Sequence, residues 1–504
     1  MSGWNGSGAA MLRRGGFGRA ARLMTAVLVS GVAAPLRAET ISQALVQAYV
    51  SNPDLNQQRA TVRVRDEDVS RANAGFRPRL NGSLSAGVQH TEVGVAGQTI
   101  RTTTFPRNLG AQIQQTLFDG NRTFNTVRQA ESQVFGSREV LRLTEQNILL
   151  GAASNYMNVL RDTAILNLRR SNIAVLVEQL RQTRDRFQVG EVTRTDVAQA
   201  DAALAQARSD FFAAQSNLQA SLASYRQVVG AEPRRLEPAQ SLERLLPRRL
   251  NEAVQASQVE HPAIVAALHN VDSAELAVRV AEGALYPTVT VNGAVNQSYG
   301  VSAGSSGGSA SSAANTTAAT TSSTGSSGLG GSSGSSGSTA RVFSASITGQ
   351  INVPIFQGGA EYAQVRQAKE QVSQARLNAD LQRDQVRASI VTVWGQFETA
   401  RAQIASGQAA VAAAEIALSG IREEARVGQR TTFDILVAQQ TLLNARVTLV
   451  TAQRDRVVAS YSVLASMGRL SPERLALNVN TYDPTVHFNQ TKDRLIGTRT
   501  PDGR

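Results

Sequence analysis

Arg186-Phe187-Gln188-Val189-Gly190-Glu191-Val192-Thr193-Arg194-Thr195-Asp196-Val197 and Glu424-Ala425-Arg426-Val427-Gly428-Gln429-Arg430-Thr431-Thr432-Phe433-Asp434-Ile435 are two versions of one local pattern. Each ends a long helical run at a glycine, Gly190 or Gly428, that is free to take positive φ. Each then offers N-cap oxygens to a following helix, from Thr193 and Thr195 or from Thr431 and Thr432. They read as the tips of two helical hairpins. The correspondence extends well beyond the tips, because Phe118, Gly190, Asp196 and Gly230 recur as Phe356, Gly428, Asp434 and Gly468, always 238 residues on. This is the mark of an internal repeat. Upstream the shift is 209, taking Asn52-Pro53 to His261-Pro262 and Arg77-Pro78 to Tyr286-Pro287, so the second copy holds 29 more residues between Pro287 and Phe356.

Residues 1–38 have the composition of a signal peptide: Arg13, Arg14, Arg19 and Arg22 precede an apolar run from Leu23 to Ala34, with a cleavage site after Ala38. A run of that length is too short to span a bilayer. The chain has no cysteine, which excludes a lipidated N-terminal cysteine, a disulfide and a thiolate metal site. Its net charge of +12 comes almost wholly from arginines interleaved with Asp and Glu along helices, lysine occurring only at positions 369 and 492. That is a solvated helix surface, not a nucleic-acid footprint, and no nucleic-acid partner is expected.

Ser42 to Gly75 reads as one helix-length pattern ended by Arg77-Pro78, and Ala263 to Gly283 as its counterpart ended by Tyr286-Pro287. After each proline the period changes to two. Leu80, Leu84, Ala86 and Val88 oppose Asn81, Ser83, Ser85 and Gln89; Leu109, Ala111, Ile113 and Leu117 oppose Gln112, Gln114 and Thr116. In the second half Val289, Val291 and Val295 oppose Thr290, Asn292 and Asn296, and Phe343, Ala345, Ile347, Ile351, Val353 and Ile355 oppose Ser344, Ser346, Thr348, Gln350 and Asn352. Four strands of about ten residues, apolar on one face and small-polar on the other, fit a transmembrane barrel. A soluble sheet with one face on a core fits the alternation too, but the remaining helices are too long to cover so small a sheet. A short loop around Glu92 to Thr104 is expected between the first two strands. Between the second two, the Ser/Gly-rich run at about 302–340 is expected to be a flexible extracellular loop.

From Gly120 to Gln188 there is no proline, which allows a helix of roughly 100 Å at 1.5 Å per residue. Its partner carries a heptad of large residues (Val197, Leu204, Phe211, Leu218, Tyr225) beside small ones (Ala200, Ala207, Ala214, Ser221), and the second copy has Ile435, Leu442, Leu449, Arg456 and Val463 beside Ala438, Ala445, Ala452 and Ala459. Such a seam lets antiparallel helices approach closely, and an ordinary coiled coil has the same spacing. Catalytic signatures are missing. The four histidines lack ligand spacing, and the G-x-S-x-G match at Gly304 to Gly308 has neither a strand before it nor a helix after it. No enzyme activity, cofactor or metal is expected.

The chain therefore divides into a signal peptide (1–38), a first structural repeat (39–230), a connector (231–260), a second repeat (261–468) and a C-terminal periplasmic tail (469–504). With its twin tips, the strand-ending "LFDG" and "PIFQGG" and the helix-starting "NP" and "HP", this order resembles the TolC family of outer-membrane channel-tunnels over nearly all of the mature chain. The late "TYDPTVHF" is similar to members that serve type I secretion. The resemblance implies an α+β membrane protein: a homotrimer whose four strands per chain close one 12-stranded β-barrel, continued by an α-helical tunnel through the periplasm. It implies an outer-membrane exit duct for efflux or type I secretion, held in outer-membrane lipid and docked to an inner-membrane pump or ABC transporter through a periplasmic adaptor. It further implies that Val189, Gly190, Val427 and Gly428 form the adaptor-docking tips. Asp434 would then project into the periplasmic entrance, and Arg430 would hold that entrance shut through links to Thr195 and Asp196. Ala425 stands where the best-known member has a gate tyrosine, and Val437 where it has a second lumenal aspartate, which puts the family's cation block in doubt. The competing reading, an adhesin-like coiled-coil stalk, needs at most one terminal barrel, whereas here strand pairs interrupt the helices twice.

Overall fold

The computed structural model describes residues 39–95, 98–302, 339–501 and 503. The segment 1–38 read as a signal peptide, nearly all of the Ser/Gly-rich run and the Gly304 to Gly308 match lie outside the described residues. Residues from Glu39 onward make one compact unit.

Its elements follow the sequence pattern with three corrections. The first helical stretch is two helices, α1 (Ile41–Ser51) and α2 (Pro53–Asn73). Pro53 pushes the residue before it out of the α region, so Asn52 is extended at φ −64° and ψ 124°, and its side chain caps α2 by accepting from the backbone N–H groups of Asp54 and Leu55. The second correction lies in the strands. Beyond β1 (Arg79–Ala86) the chain continues as β2 (Gln89–Val95) and β3 (Gln98–Thr104), a hairpin where a loop was expected, before β4 (Arg107–Phe118). Its β-branched residues suit a strand, and Pro106, which cannot donate to a ladder, separates β3 from β4. Third, the last strand β6 (Thr339–Asn352) stops short of the expected Val353 and Ile355, because Pro354 interrupts the ladder. Its partner is β5 (Thr288–Ser302).

The long helices are α3 (Arg122–Gln188) and α7 (Ala360–Arg426), each of 67 residues and so roughly 100 Å long. They turn back into α4 (Arg194–Val229) and α8 (Thr432–Ser466). Between the halves lie α5 (Leu250–Glu260) and α6 (Pro262–Gly283), and the tail holds α9 (Pro484–Thr491). The seam of small residues is buried as its spacing requires: Ala200, Ala207 and Ala214 on α4, and Ala438, Ala452 and Ala459 on α8. Arg456, the odd member of the seam, turns aside and donates to Glu243 of the connector at 2.6 Å.

Strands β1, β4, β5 and β6 form one antiparallel sheet in that order. Leu80, Ile113, Gly293 and Ile347 stand opposite one another on one face, while Asn81, Gln112, Ala294 and Ser346 do so on the other. The apolar face is uncovered: Leu80 is 73% exposed, Leu84 81% and Ile347 85%. The main core lies far from the sheet, where Leu45, Leu149, Tyr156, Tyr225, Tyr461 and Leu470 bring α1, α3, α4, α8 and the tail together. There the Tyr225 hydroxyl donates to the Glu39 carboxylate at 2.7 Å, and the Tyr156 hydroxyl lies 2.8 and 2.7 Å from the carbonyl oxygens of Glu39 and Glu237. Burial pushes Tyr156 up to about 12, so it remains a donor at any physiological pH. The tail then runs along α2, where the His487 ring nitrogen meets the buried Asp66 carboxylate at 2.9 Å.

Candidate functional site: the twin helical tips

The two hairpin tips are built alike. Gly190 and Gly428 take φ of +83° and +81°, and a Cβ on either would meet nothing within 4 Å. Each closes its helix with the same pair of backbone bonds: Gly190 to Phe187 and Glu191 to Arg186 in the first, Gly428 to Ala425 and Gln429 to Glu424 in the second. Of the candidate cap residues, the fold uses Thr193 and Thr431. Thr193 accepts from the Asp196 N–H, and the Asp196 carboxylate accepts from the Thr193 N–H and hydroxyl at 2.8 and 2.7 Å. Thr431 and Asp434 make the same reciprocal box, both bonds to the carboxylate being 2.9 Å. Val189 and Val427, just before the glycines, are 72% and 71% exposed.

These bonds occupy one carboxylate oxygen, Oδ2, of Asp196 and of Asp434. The bonds from Thr431 hold the Asp434 carboxyl below the usual carboxylate range, with Arg430 a smaller contribution, so it is charged at neutral pH. Thr195 lies exposed in the first turn of α4. Arg430 does not reach Thr195 or Asp196 within one chain. Its Nε donates to Glu424 Oε2 at 2.8 Å across its own tip, and that bond raises the guanidinium further. Sequence reasoning missed Glu424 as this partner. The signal was a carboxylate six residues before Arg430, a spacing that brings the two together only once Gly428 has reversed the chain.

The tips lie side by side because Leu436 of α8 packs among Leu176, Leu180, Ala200, Leu204 and Ala207 of the first hairpin. Between α3 and the α7–α8 turn this leaves a cavity of about 520 Å³, lined by Glu178, Arg186, Arg422 and Arg426 among less polar neighbours such as Val175 and Ile435. No cluster of three or more His, Cys, Asp or Glu that could hold a metal occurs among the described residues.

Comparison with known proteins gives a consistent result. The family described as outer membrane efflux protein matches residues 44–231 and 253–469. The outer membrane efflux protein BepC of Brucella suis biovar 1 (strain 1330) is 40% identical over 485 residues, covering 96% of this chain and 97% of BepC. The outer membrane protein TolC of Escherichia coli (strain K12) is 25% identical over 487 residues, 95% of this chain and 92% of that one. Among solved structures, the CmeC outer membrane channel of Campylobacter jejuni superposes with a TM-score of 0.71 at 16% identity, covering 90% of this chain and 89% of CmeC.

Proposed function

Since the chain belongs to the outer membrane efflux protein family and is an outer-membrane exit channel of the efflux or type I secretion kind, we propose that it works as a homotrimer. In that assembly it would conduct substrates passively from an inner-membrane pump and a periplasmic adaptor to the exterior. The observation that carries this reading is the four-stranded sheet that, among the described residues, has uncovered apolar residues on one face and two unpaired edges, β1 and β6. Four strands cannot close a barrel alone, and an open edge does not persist in lipid. Three copies joined edge to edge would make twelve strands, bury every edge and turn the apolar face to lipid. The paired elements of residues 39–230 and 261–468, including the two 67-residue helices, are then two structural repeats. Residues 231–260 connect them, and residues 469–504 form a periplasmic tail.

The tips at Val189, Gly190, Val427 and Gly428 would receive the adaptor, whose helical hairpin would use the exposed valines and the cavity between the hairpins. Closure of the entrance would fall to Arg430 reaching Thr195 and Asp196 of a neighbouring copy in exchange for its own Glu424, with Asp434 facing the aperture. Cross-linking in detergent tests the assembly. Trimers that insert into planar bilayers and conduct are expected, and a monomer indifferent to lipid would end this reading.

A further inference from the structure

The polar face of the sheet ends at an arginine. In the row Arg79, Gln114, Asn292 and Thr348, opposed across the four strands, Arg79 is the first residue of β1. On the exit-channel reading this face lines the water-filled duct. Arg79 also lines an open cavity of about 450 Å³ between α2 and α3, together with Arg65, Asp68 and Arg71. The tail packs against α2 at Asp66 and Val69, where His487 and Phe488 of α9 meet the helix. At about 100° per residue, Arg65, Asp68 and Arg71 lie about 100–160° round the helix from Asp66. The row of the sheet thus places Arg79, and with it the cavity, on the duct side, where barrel becomes tunnel.

Its charge is unbalanced. Asp68 is the one carboxylate lining it and accepts from both Arg65, at 3.2 Å, and Arg71. The Arg79 side chain makes no ion pair or hydrogen bond among the described residues. Three guanidinium groups against one carboxylate leave an excess of two positive charges per chain, in a recess whose other walls are neutral. Guanidinium forks bind oxyanions in preference to other solutes, and a recessed charge focuses counter-ions.

We propose that this cavity is an anion-binding station in the duct, where phosphate, sulfonate or carboxylate groups of a solute in transit meet Arg65, Arg71 and Arg79. The station rests on the exit-channel reading for its place in the duct, but its charge preference can be measured without it. Because the chain has no cysteine, Gln129→Cys puts a single thiol on the cavity wall, and Thr126→Cys is a second reporter should the first fold poorly. The thiol is reacted with a sulfonate-bearing and with a trimethylammonium-bearing methanethiosulfonate. Relative to a free thiol in solution, the anionic reagent should be favoured by about tenfold, and the preference should vanish when Arg65, Arg71 and Arg79 are all changed to Gln. In planar bilayers, attaching either reagent should alter the single-channel current. A free-thiol ratio overturns the proposal, as does labelling that leaves the current of open channels unchanged. A preserved charge preference in a protein that forms no channels would instead refute the exit-channel reading and keep the anion site.

Discussion

Gly468→Ala should be far more damaging than Gly428→Ala, although both glycines have positive φ two residues beyond the end of a helix. At Gly428, φ is +81° and an added Cβ would meet nothing within 4 Å, so the cost is backbone strain alone, about 1–2 kcal/mol. At Gly468, φ is +76°, and the added Cβ would lie 2.7 Å from the Glu260 carbonyl oxygen, 2.7 Å from the His261 Cα and 3.0 Å from the Pro262 Cδ. Two of these atoms are backbone and cannot swing aside. Overpacking of this kind adds about 1–3 kcal/mol to the same strain, for about 2–5 kcal/mol in all. The joint is also held by Arg469, which donates to both oxygens of Glu260 at 2.7 and 2.6 Å, so relaxing the clash would break that pair. Trp394 reports on the joint directly. It packs in one cluster with Val463 and Met467, and it is the single tryptophan of residues 39–504. In urea titrations followed by Trp394 fluorescence, Gly428→Ala should leave the midpoint near wild type, because the tip is remote from the core, whereas Gly468→Ala should lower it clearly. Equal midpoints for the two variants would refute the close packing of the α8 terminus on the α5–α6 break.

Arg430→Ala should raise single-channel conductance in planar bilayers, whereas Glu424→Ala, which frees Arg430 to link across chains, should leave it at or below wild type; a rise with Glu424→Ala would refute the exchange of partners. His261 caps α6 by accepting from the Ala263 N–H at 3.2 Å, and burial pulls its pKa below 6.5. The stability it contributes is thus present above about pH 6.5 and lost as the pH falls from there through the depressed folded value. His261→Asn, which keeps an acceptor as Asn52 does in the first half, should match wild type at pH 8 and exceed it at pH 5 in thermal melts. Because Ser302 and Thr339 are already paired across β5 and β6, replacing residues 303–338 with Asn-Gly should leave trimer yield and transport intact; loss of folding would show the strand limits to be wrong.

What could be read from the sequence was whatever local chemistry decides. A glycine followed three residues on by a threonine specifies a helix end and a capped restart, and both hairpins turn there, with Thr193 and Thr431 as the caps and the aspartates that complete each box left unread. The apolar rows of β1, β4, β5 and β6 were legible because successive side chains of a strand alternate between two unlike faces. The β2–β3 hairpin was not, because its Thr-rich residues show no consistently apolar face and the alternation carries no signal there. Helix α1 merged with α2 in the reading because Asn52-Pro53 marks a restart as readily as a kink, and the register of the two helices is set by contacts far away, such as the Asn52 amide donating to Val228 at 2.9 Å. Exposed partners were least legible, since long side chains such as Arg430 choose among nearby carboxylates by the course of the backbone, not by distance along the sequence.

The two tips share a backbone but not a charge order, and this separates the two roles proposed for them. A partner that recognises the shape of a tip meets nearly the same glycine turn, exposed valine and Thr/Asp box at both, so each chain offers two similar docking ends. Electrostatics differ. After Gly190 comes Glu191, which faces Arg186 at 3.8 Å, whereas after Gly428 comes the neutral Gln429 and then Arg430, turned back onto Glu424. The first charge beyond the turn is thus an acid in the first tip, with Arg194 following at the start of α4, and a base in the second. Tips of opposite sense brought together around one axis attract without any change in fold, and the same groups satisfied within their own tips allow release. Docking can therefore be a property of both tips while closure depends on the second, which is why changing the charge at Arg430 should alter conductance and leave adaptor binding to the valines and glycines.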